Sequence, residues 1–336
     1  MLVDDYDYPL PPGSIAQEAI EPRDAALLLD TRTMSDRTFS DLPSLLSAGD
    51  LVVINRTKVR AARLVGTRET GGRTELLLTR RIDGERWQAL LNPARKLRRG
   101  SVVEAGPIDA TLLSDPVDGV ATVELRADGD IERAIESYGS VPLPPYFHGT
   151  LSGSERYQTM FADTVGSSAA PTAALHFTPR VVIELRRRGI EVASVDLHVG
   201  LDTFRPMGGE RVEDHAIHSE RISVSSETAE AVKGARTRGG RVVAIGTTVV
   251  RTLESAATPD GFVEPCDRDT DLFITPGYVP RVVDLVVTNF HAPKTTLIVL
   301  IATLLGANWK AVYDEALARG YRFLSFGDAM LLEVHR

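Results

Sequence analysis

The sequence predicts an α/β protein whose main domain is interrupted by a small all-β insert. Three observations carry this. From about Arg63 to Ala127, short alternating segments are separated by Gly, Pro and Asp at spacings of about ten residues, the texture of a small β-barrel or sandwich. From about Pro171 onward, strand-like and helix-like segments alternate, the texture of an α/β layer. The N-terminal stretch, with strand-like runs near Leu27 and Leu51, matches the second texture. The expected division is therefore a main domain of 1–62 and 151–336 with an insert at 63–150.

The individual elements follow from local chemistry. Within the insert, Thr74–Leu78, Trp87–Leu91, Ser101–Glu104 and Thr122–Leu125 read as strands. The extended Pro142-Leu143-Pro144-Pro145 marks the return to the main domain. Thr178 offers an N-cap with Pro179 in the first turn, and Gly189 offers a stop, so the segment between reads as a helix with Val181, Val182 and Leu185 on one face. Ile190–Val199 reads as a strand that places Val195, Leu197 and Val199 on one face and Asp196 and His198 on the other. Glu227–Lys233 reads as a helix closed by Gly239-Gly240, Arg241–Ile245 as a strand and Thr247–Ala257 as a second helix. The alternation ends with a strand at Val282–Val287 and helices at Leu297–Leu305 and Lys310–Ala318.

Composition narrows the function classes. The chain has 336 residues, 43% hydrophobic and 25% charged, with a formal net charge of −8, which argues against global charge-driven binding to nucleic acid. A local patch is still available at Arg95-Lys96 and Arg98-Arg99, which can equally be a solvated basic turn. The single Cys266 makes no intrachain disulfide and no cysteine metal cluster. The acidic, proline-rich start is unlike a signal peptide. The apolar run Leu297–Ala307 is shorter than the roughly 20 residues of a membrane span and reads as a buried helix. A cytoplasmic, monomeric protein is expected. There is no G-x-G-x-x-G after a strand, no Walker loop and no G-x-S-x-G elbow, which sets aside dehydrogenase, P-loop and α/β-hydrolase readings.

Several segments can carry chemistry. Gly246-Thr247-Thr248, between a strand and a helix, is either an anion site built from free N–H groups and a hydroxyl or an ordinary cap. Arg251 and Glu254 follow one turn apart, as a surface ion pair or a pair facing the site. Asn289-Phe290-His291-Ala292-Pro293-Lys294 follows a strand and precedes a helix, where α/β proteins place ligands. The small-residue loop Ala169–Thr178, with Thr172, permits close backbone approach and ends near His176. His198 ends a strand, with Asp202 shortly after it. His176, His198 and His291 are the acid/base candidates. His215 and His218 add to the histidine count, but no metal-ligand spacing supports a metal site.

Taken in order, the segments resemble the tRNA ribosyltransferase-isomerases of queuosine synthesis along the whole chain. The resemblance rests on Asp5-Tyr6-Asp7-Tyr8-Pro9-Leu10-Pro11, Glu21-Pro22-Arg23-Asp24, Asn92-Pro93-Ala94-Arg95-Lys96, Pro142-Leu143-Pro144-Pro145-Tyr146 and Arg156-Tyr157-Gln158-Thr159. It continues through Leu197-His198-Val199-Gly200-Leu201, His218-Ser219-Glu220, Gly246-Thr247-Thr248, Arg251-Thr252-Leu253-Glu254-Ser255, Thr288-Asn289-Phe290-His291 and Gly327-Asp328-Ala329-Met330.

The resemblance implies a mixed, barrel-like α/β main domain with an inserted small β-barrel. It implies S-adenosylmethionine as ribosyl donor, no metal, and a tRNA wobble base, 7-aminomethyl-7-deazaguanine, as acceptor. Thr247 and Thr248, with Arg251 assisting, would hold the methionine carboxylate or a phosphate. Glu254, Thr172, Asp202, Asn289 and Lys294 would bind substrate, and Arg95 and Lys96 would track RNA backbone. The chain departs from the family pattern at Arg56 and Lys58 (usually Asp and Arg), Ala174 and Asp202 (usually Gly), Val249 (usually Ser) and Thr275 (usually aromatic). Those departures leave two alternatives: a paralogue with a small-molecule acceptor or lyase activity, and an inactive binding protein.

Overall fold

The computed structural model describes residues 1–149, 151–200, 206–217 and 219–335. In chain order the elements are β1 (Leu27–Asp30), β2 (Ser35–Thr38), α1 (Leu42–Leu45), β3 (Leu51–Asn55), β4 (Thr57–Val59), β5 (Arg63–Arg68), β6 (Arg73–Asp83), β7 (Arg86–Asn92), β8 (Val102–Ala105), β9 (Ile108–Leu112), β10 (Val120–Ala127) and α2 (Ile131–Tyr138). They continue with β11 (Thr164–Ser167), α3 (Pro179–Arg187), β12 (Glu191–Leu197), β13 (Glu220–Val224), α4 (Ser226–Thr237), β14 (Val242–Ile245), α5 (Thr247–Ser255), β15 (Cys266–Thr270), β16 (Leu285–Asn289), α6 (Thr296–Leu305), α7 (Trp309–Ala318) and β17 (Ala329–Glu333). Contacts divide the chain into two compact units, Met1–Lys58 with Pro144–Arg336, and Val59–Leu143.

The larger unit is built on a nine-stranded mixed sheet in the order β15-β13-β12-β3-β14-β16-β17-β1-β2. Its centre, β12-β3-β14-β16, is parallel, with Val52 of β3 level with Val192 on one side and Val243 on the other. Parallel strands covered on both faces need apolar residues at every position, and Leu51–Asn55, Val242–Ile245 and Leu285–Asn289 are buried throughout. Alternation then sorts them by face. Leu51, Val53, Val242, Ala244 and Val286 join the core under α4 to α7. Val52, Ile54, Val243, Ile245, Leu285 and Val287 join the core that includes Val181 and Leu185 of α3. β4 and β11 form a separate two-stranded sheet.

The smaller unit is a closed antiparallel barrel, β10-β7-β6-β5-β8-β9. Every second residue points inward, including Leu76, Leu78, Trp87, Ala89, Leu91, Val123 and Leu125. Gly66 of β5 lets β8 approach: a Cβ there would stand 2.5 Å from the Glu104 carbonyl oxygen. The strand texture of the insert ends at Ala127. An amphipathic helix, α2, follows it, capped by the Asp130 carboxylate on the Arg133 N–H and packed into the barrel core through Ile135.

Three local expectations change. Thr178 caps α3 by backbone geometry only, and its hydroxyl donates instead to the buried Asp24 at 2.6 Å. The strand expected from Val282 starts at Leu285, because the N–H groups of Arg281, Val282 and Val283 are taken by the Glu254 carboxylate. The run Thr296–Ala318 is 23 residues long and holds an 18-residue window of mean hydropathy 1.5, long and apolar enough to cross a membrane by length and composition, whereas the sequence reading took a shorter apolar span. Gly306, at φ +68°, ends α6 within that run, and Ile298, Ile301 and Tyr313 belong to the sheet's core.

Candidate active site

The parallel centre of the sheet brings the carboxyl ends of β12, β14 and β16 to one edge, the place where such sheets hold ligands. A cavity of about 630 Å³, counting its open mouth, lies there. Val199 follows β12, Gly246-Thr247-Thr248 follow β14, and Thr288 to Ala292 end β16. Ala170 to Ala173, Tyr146, Leu324 and Ser325 complete much of the wall.

Gly246 makes the turn into α5 at φ +92°, a backbone that favours glycine. The first N–H groups of α5 lack helical partners by geometry. The Thr248 hydroxyl beside them is buried at the cavity wall with no hydrogen-bond partner. An unpaired buried hydroxyl costs about 1–3 kcal/mol, which a polar group bound in the cavity would recover.

His291 lines the cavity, and its Nε2 lies 2.9 Å from the Thr288 hydroxyl. Its loop is fixed from behind by the N-terminal segment. The Tyr8 hydroxyl donates to the His291 carbonyl, and the His291 N–H donates to the Tyr313 hydroxyl at 3.1 Å. Burial pushes the ring down to about 3, so it is neutral at physiological pH. Tyr146, pushed up to about 12 by burial, stays protonated and shares a 2.6 Å hydrogen bond with Ser325.

His176 sits behind the wall. Asn289 links it to the cavity: Asn289 Oδ1 accepts from the Thr172 hydroxyl at 2.9 Å, and Asn289 Nδ2 lies 3.3 Å from His176 Nε2. An amide nitrogen only donates, so Nε2 accepts and the ring proton is on Nδ1. Burial pushes His176 down to about 4, and the ring packs on Phe39. His176 is therefore a neutral support for Asn289 and does not line the cavity. His198 ends β12 with its ring against Gly166, outside the cavity lining.

Other expected residues move to other duties. Lys294 is tied by ion pairs to Asp4 and Asp7 at 2.8 and 3.1 Å and does not line the cavity. Arg251 and Glu254 do not pair with each other. Arg251 pairs with Glu220 and lines a second cavity. Glu254 accepts from three backbone N–H groups and the Tyr278 hydroxyl, a structural clamp away from both cavities. Arg95 and Lys96 are exposed on a turn of the smaller unit. Asp202 and His218 lie outside the described residues. Among the described residues no group of three or more His, Cys, Asp or Glu is placed to hold a metal.

The departures are accommodated by packing and charge. Arg56 binds Asp196 through Nε and Nη2, each at 3.1 Å, which balances the reversed charge. Ala174 and Val249 are buried in the cores on opposite faces of the sheet, not in the cavity. Thr275 is half-buried in the loop before Tyr278, whose N–H bonds its carbonyl.

Sequence reasoning missed the wall residues Tyr146, Thr288 and Ser325 and the partner acids Asp196 and Glu220. Tyr146 and Glu220 stood inside quoted motifs, and Asp196 stood on the polar face of a correctly read strand. Ser325 carried no local signal.

The fold and cavity define an α/β protein with a ligand site at the carboxyl edge of a mixed sheet and a separate all-antiparallel barrel. The chain belongs to the queuosine biosynthesis protein family, whose sequence profile matches residues 3–332. It is 46% identical to an S-adenosylmethionine:tRNA ribosyltransferase-isomerase of Symbiobacterium thermophilum, over 99% of this chain and 100% of the relative. It is 45% identical to the same-named protein of Moorella thermoacetica, with 99% and 100% covered. The solved structure of an S-adenosylmethionine tRNA ribosyltransferase from Thermotoga maritima matches with a TM-score of 0.54 at 34% identity, covering 97% of this chain and 99% of that one.

Proposed function

We infer that the chain is an S-adenosylmethionine-dependent ribosyltransferase-isomerase of queuosine biosynthesis. It moves the ribosyl group of S-adenosylmethionine to 7-aminomethyl-7-deazaguanine at the tRNA wobble position, giving epoxyqueuosine-tRNA, adenine and methionine. One observation carries the reading. Segments far apart in sequence, Ala170 to Ala173, Gly246 to Thr248 and Thr288 to Ala292, line one cavity in a chain that aligns end to end with relatives named for this activity.

The cavity suits the chemistry. A sulfonium acidifies the adjoining C5′ hydrogens, and a positioned base removes one. The acceptor is a primary amine with a free pKa of about 10 by analogy with lysine, and a dry pocket lowers it toward the neutral, nucleophilic form. His291, neutral and at the wall, exchanges these protons. Asn289, held by His176 and Thr172, orients the nucleoside. Thr248 and the N–H groups at the start of α5 meet its polar or anionic part. The larger unit carries the reaction. Arg95 and Lys96 on the barrel meet tRNA phosphates, and the wobble base, in a loop, is read unstacked. The active form is read as a monomer, working in the cytoplasm on tRNA without a metal.

Among the described residues, the departures at Arg56, Lys58, Ala174, Val249 and Thr275 do not line the cavity. The test is chromatographic. Adenine and methionine are measured after incubation with S-adenosylmethionine, with and without tRNA carrying the aminomethyl base. Release that requires the modified tRNA is expected. Equal release without tRNA, or none under either condition, overturns the reading.

A further inference from the structure

A second cavity of about 510 Å³, counted with its mouth, adjoins the first, and Leu297 lines both. The same two helices wall the pair. On α5, Thr247 and Thr248 face the first cavity and Arg251, one turn on, faces the second. On α6, Leu297 is shared and Leu300 belongs to the second. One turn is about 5.4 Å along a helix.

The second cavity holds a buried ion pair with an unfinished side. Arg251 has nine-tenths of its side chain buried. Its Nη1 pairs with Glu220 and its Nε donates to the Leu272 carbonyl at 3.1 Å, but Nη2 is buried with no partner. Nη2 is thus the one nitrogen of this guanidinium without a partner among the described residues, and a carboxylate meets it with a single charge-assisted hydrogen bond. Glu220, which pairs with Arg251 and accepts from the Gly200 N–H at 2.8 Å, supplies a negative pole beside it. Leu272, Ile274, Leu297 and Leu300 leave an apolar lane between these poles and the first cavity.

We propose that this second cavity is an α-amino-acid subsite, in which Arg251 takes the carboxylate of the methionyl end of S-adenosylmethionine and Glu220 faces its ammonium. This deepens the reading above and rests on it. Three carbons join the sulfur to that carboxylate, a span of roughly 5 Å at ordinary bond lengths, and the two cavities adjoin at Leu297. The sulfonium then lies at the Leu297 boundary, with the nucleoside in the first cavity. The start of α5 is left for the nucleoside and the acceptor. Methionine, as product, leaves from its own subsite.

Binding is measured by calorimetry on the whole protein with S-adenosylmethionine and with its decarboxylated analogue. The wild type is expected to prefer the carboxylate-bearing compound by about tenfold or more, the scale of one charge-assisted hydrogen bond. Arg251→Gln is expected to bind both alike. A preference that survives in Arg251→Gln overturns the subsite and leaves the enzyme assignment standing. Failure of the wild type to bind either compound removes the assignment itself. A second variant covers loss of folding: Phe273→Trp, at the cavity wall, reports occupancy by its emission. Saturable change with free L-methionine and none with adenosine is expected, and no response to L-methionine overturns the proposal.

Discussion

At the scale of residues, burial decides what each histidine can do. His291 and His176 are both held neutral, but only His291 lines the first cavity. His291→Gln is expected to lower turnover by about a hundredfold or more, the range of general acid–base catalysis. His176→Gln keeps an acceptor for Asn289 and is expected to stay within about tenfold of wild type. Steady-state rates of adenine release compare the two. Equal losses would place both rings in proton transfer.

The same burial gives the fold a pH dependence. Both rings are harder to protonate in the folded chain than in the unfolded one, whose value is about 6.5. Between about pH 6.5 and 4 the unfolded chain therefore takes up protons that the folded chain refuses. Stability is fully present above that window and falls as pH drops through it. For His176 the loss by pH 5 is about 2 kcal/mol. Urea unfolding at pH 7 and pH 5 measures it, and His176→Gln is expected to show a smaller difference.

At the scale of elements, α5 joins the sheet to the loop that leads into β16. The Glu254 carboxylate binds the N–H groups of Arg281, Val282 and Val283 at 2.9 to 3.0 Å. Glu254→Ala removes the acceptor that these three donors share, two of the bonds being buried and one part-buried. At about 1 kcal/mol each the loss is about 3 kcal/mol, seen as a lower urea midpoint. Glu254→Gln retains one acceptor oxygen and is expected to lose less. This clamp is also why the last central strand begins later than its apolar run suggests: periodicity marks Val282 and Val283 as buried but does not say which acceptor their N–H groups meet.

At the scale of the whole molecule, the first cavity belongs to the larger unit and the basic turn to the smaller. The barrel turn exposes Arg95, Lys96, Arg98 and Arg99 within five residues of chain, whereas the chain as a whole carries −8. The proposed RNA contact therefore rests on local charge. Each phosphate contact contributes roughly 0.7–0.9 to the slope of log K against log salt. Arg95→Gln with Lys96→Gln is expected to reduce that slope by between one and two and to weaken tRNA binding, measured by filter binding across a salt series. The affinity for S-adenosylmethionine alone is expected to be unchanged. An unaltered slope would return the turn to plain solvation.

Much of this was legible in the residue order because it depends on neighbours in sequence. Period-two alternation defined the barrel strands, unbroken apolar runs defined the buried parallel strands, and Gly246 stood between a strand and a helix. The loops with chemistry, at Ala170, Gly246 and Asn289, were visible because small and polar residues stood between regular elements. Tertiary structure alone decided which side chains meet. It set Asn289 between Thr172 and His176, moved Lys294 to the N-terminal acids, separated Arg251 from Glu254 and gave each a distant partner. Hydrogen bonds and ion pairs act over about 3 Å of space with no regard for distance along the chain, and so no local pattern announces them.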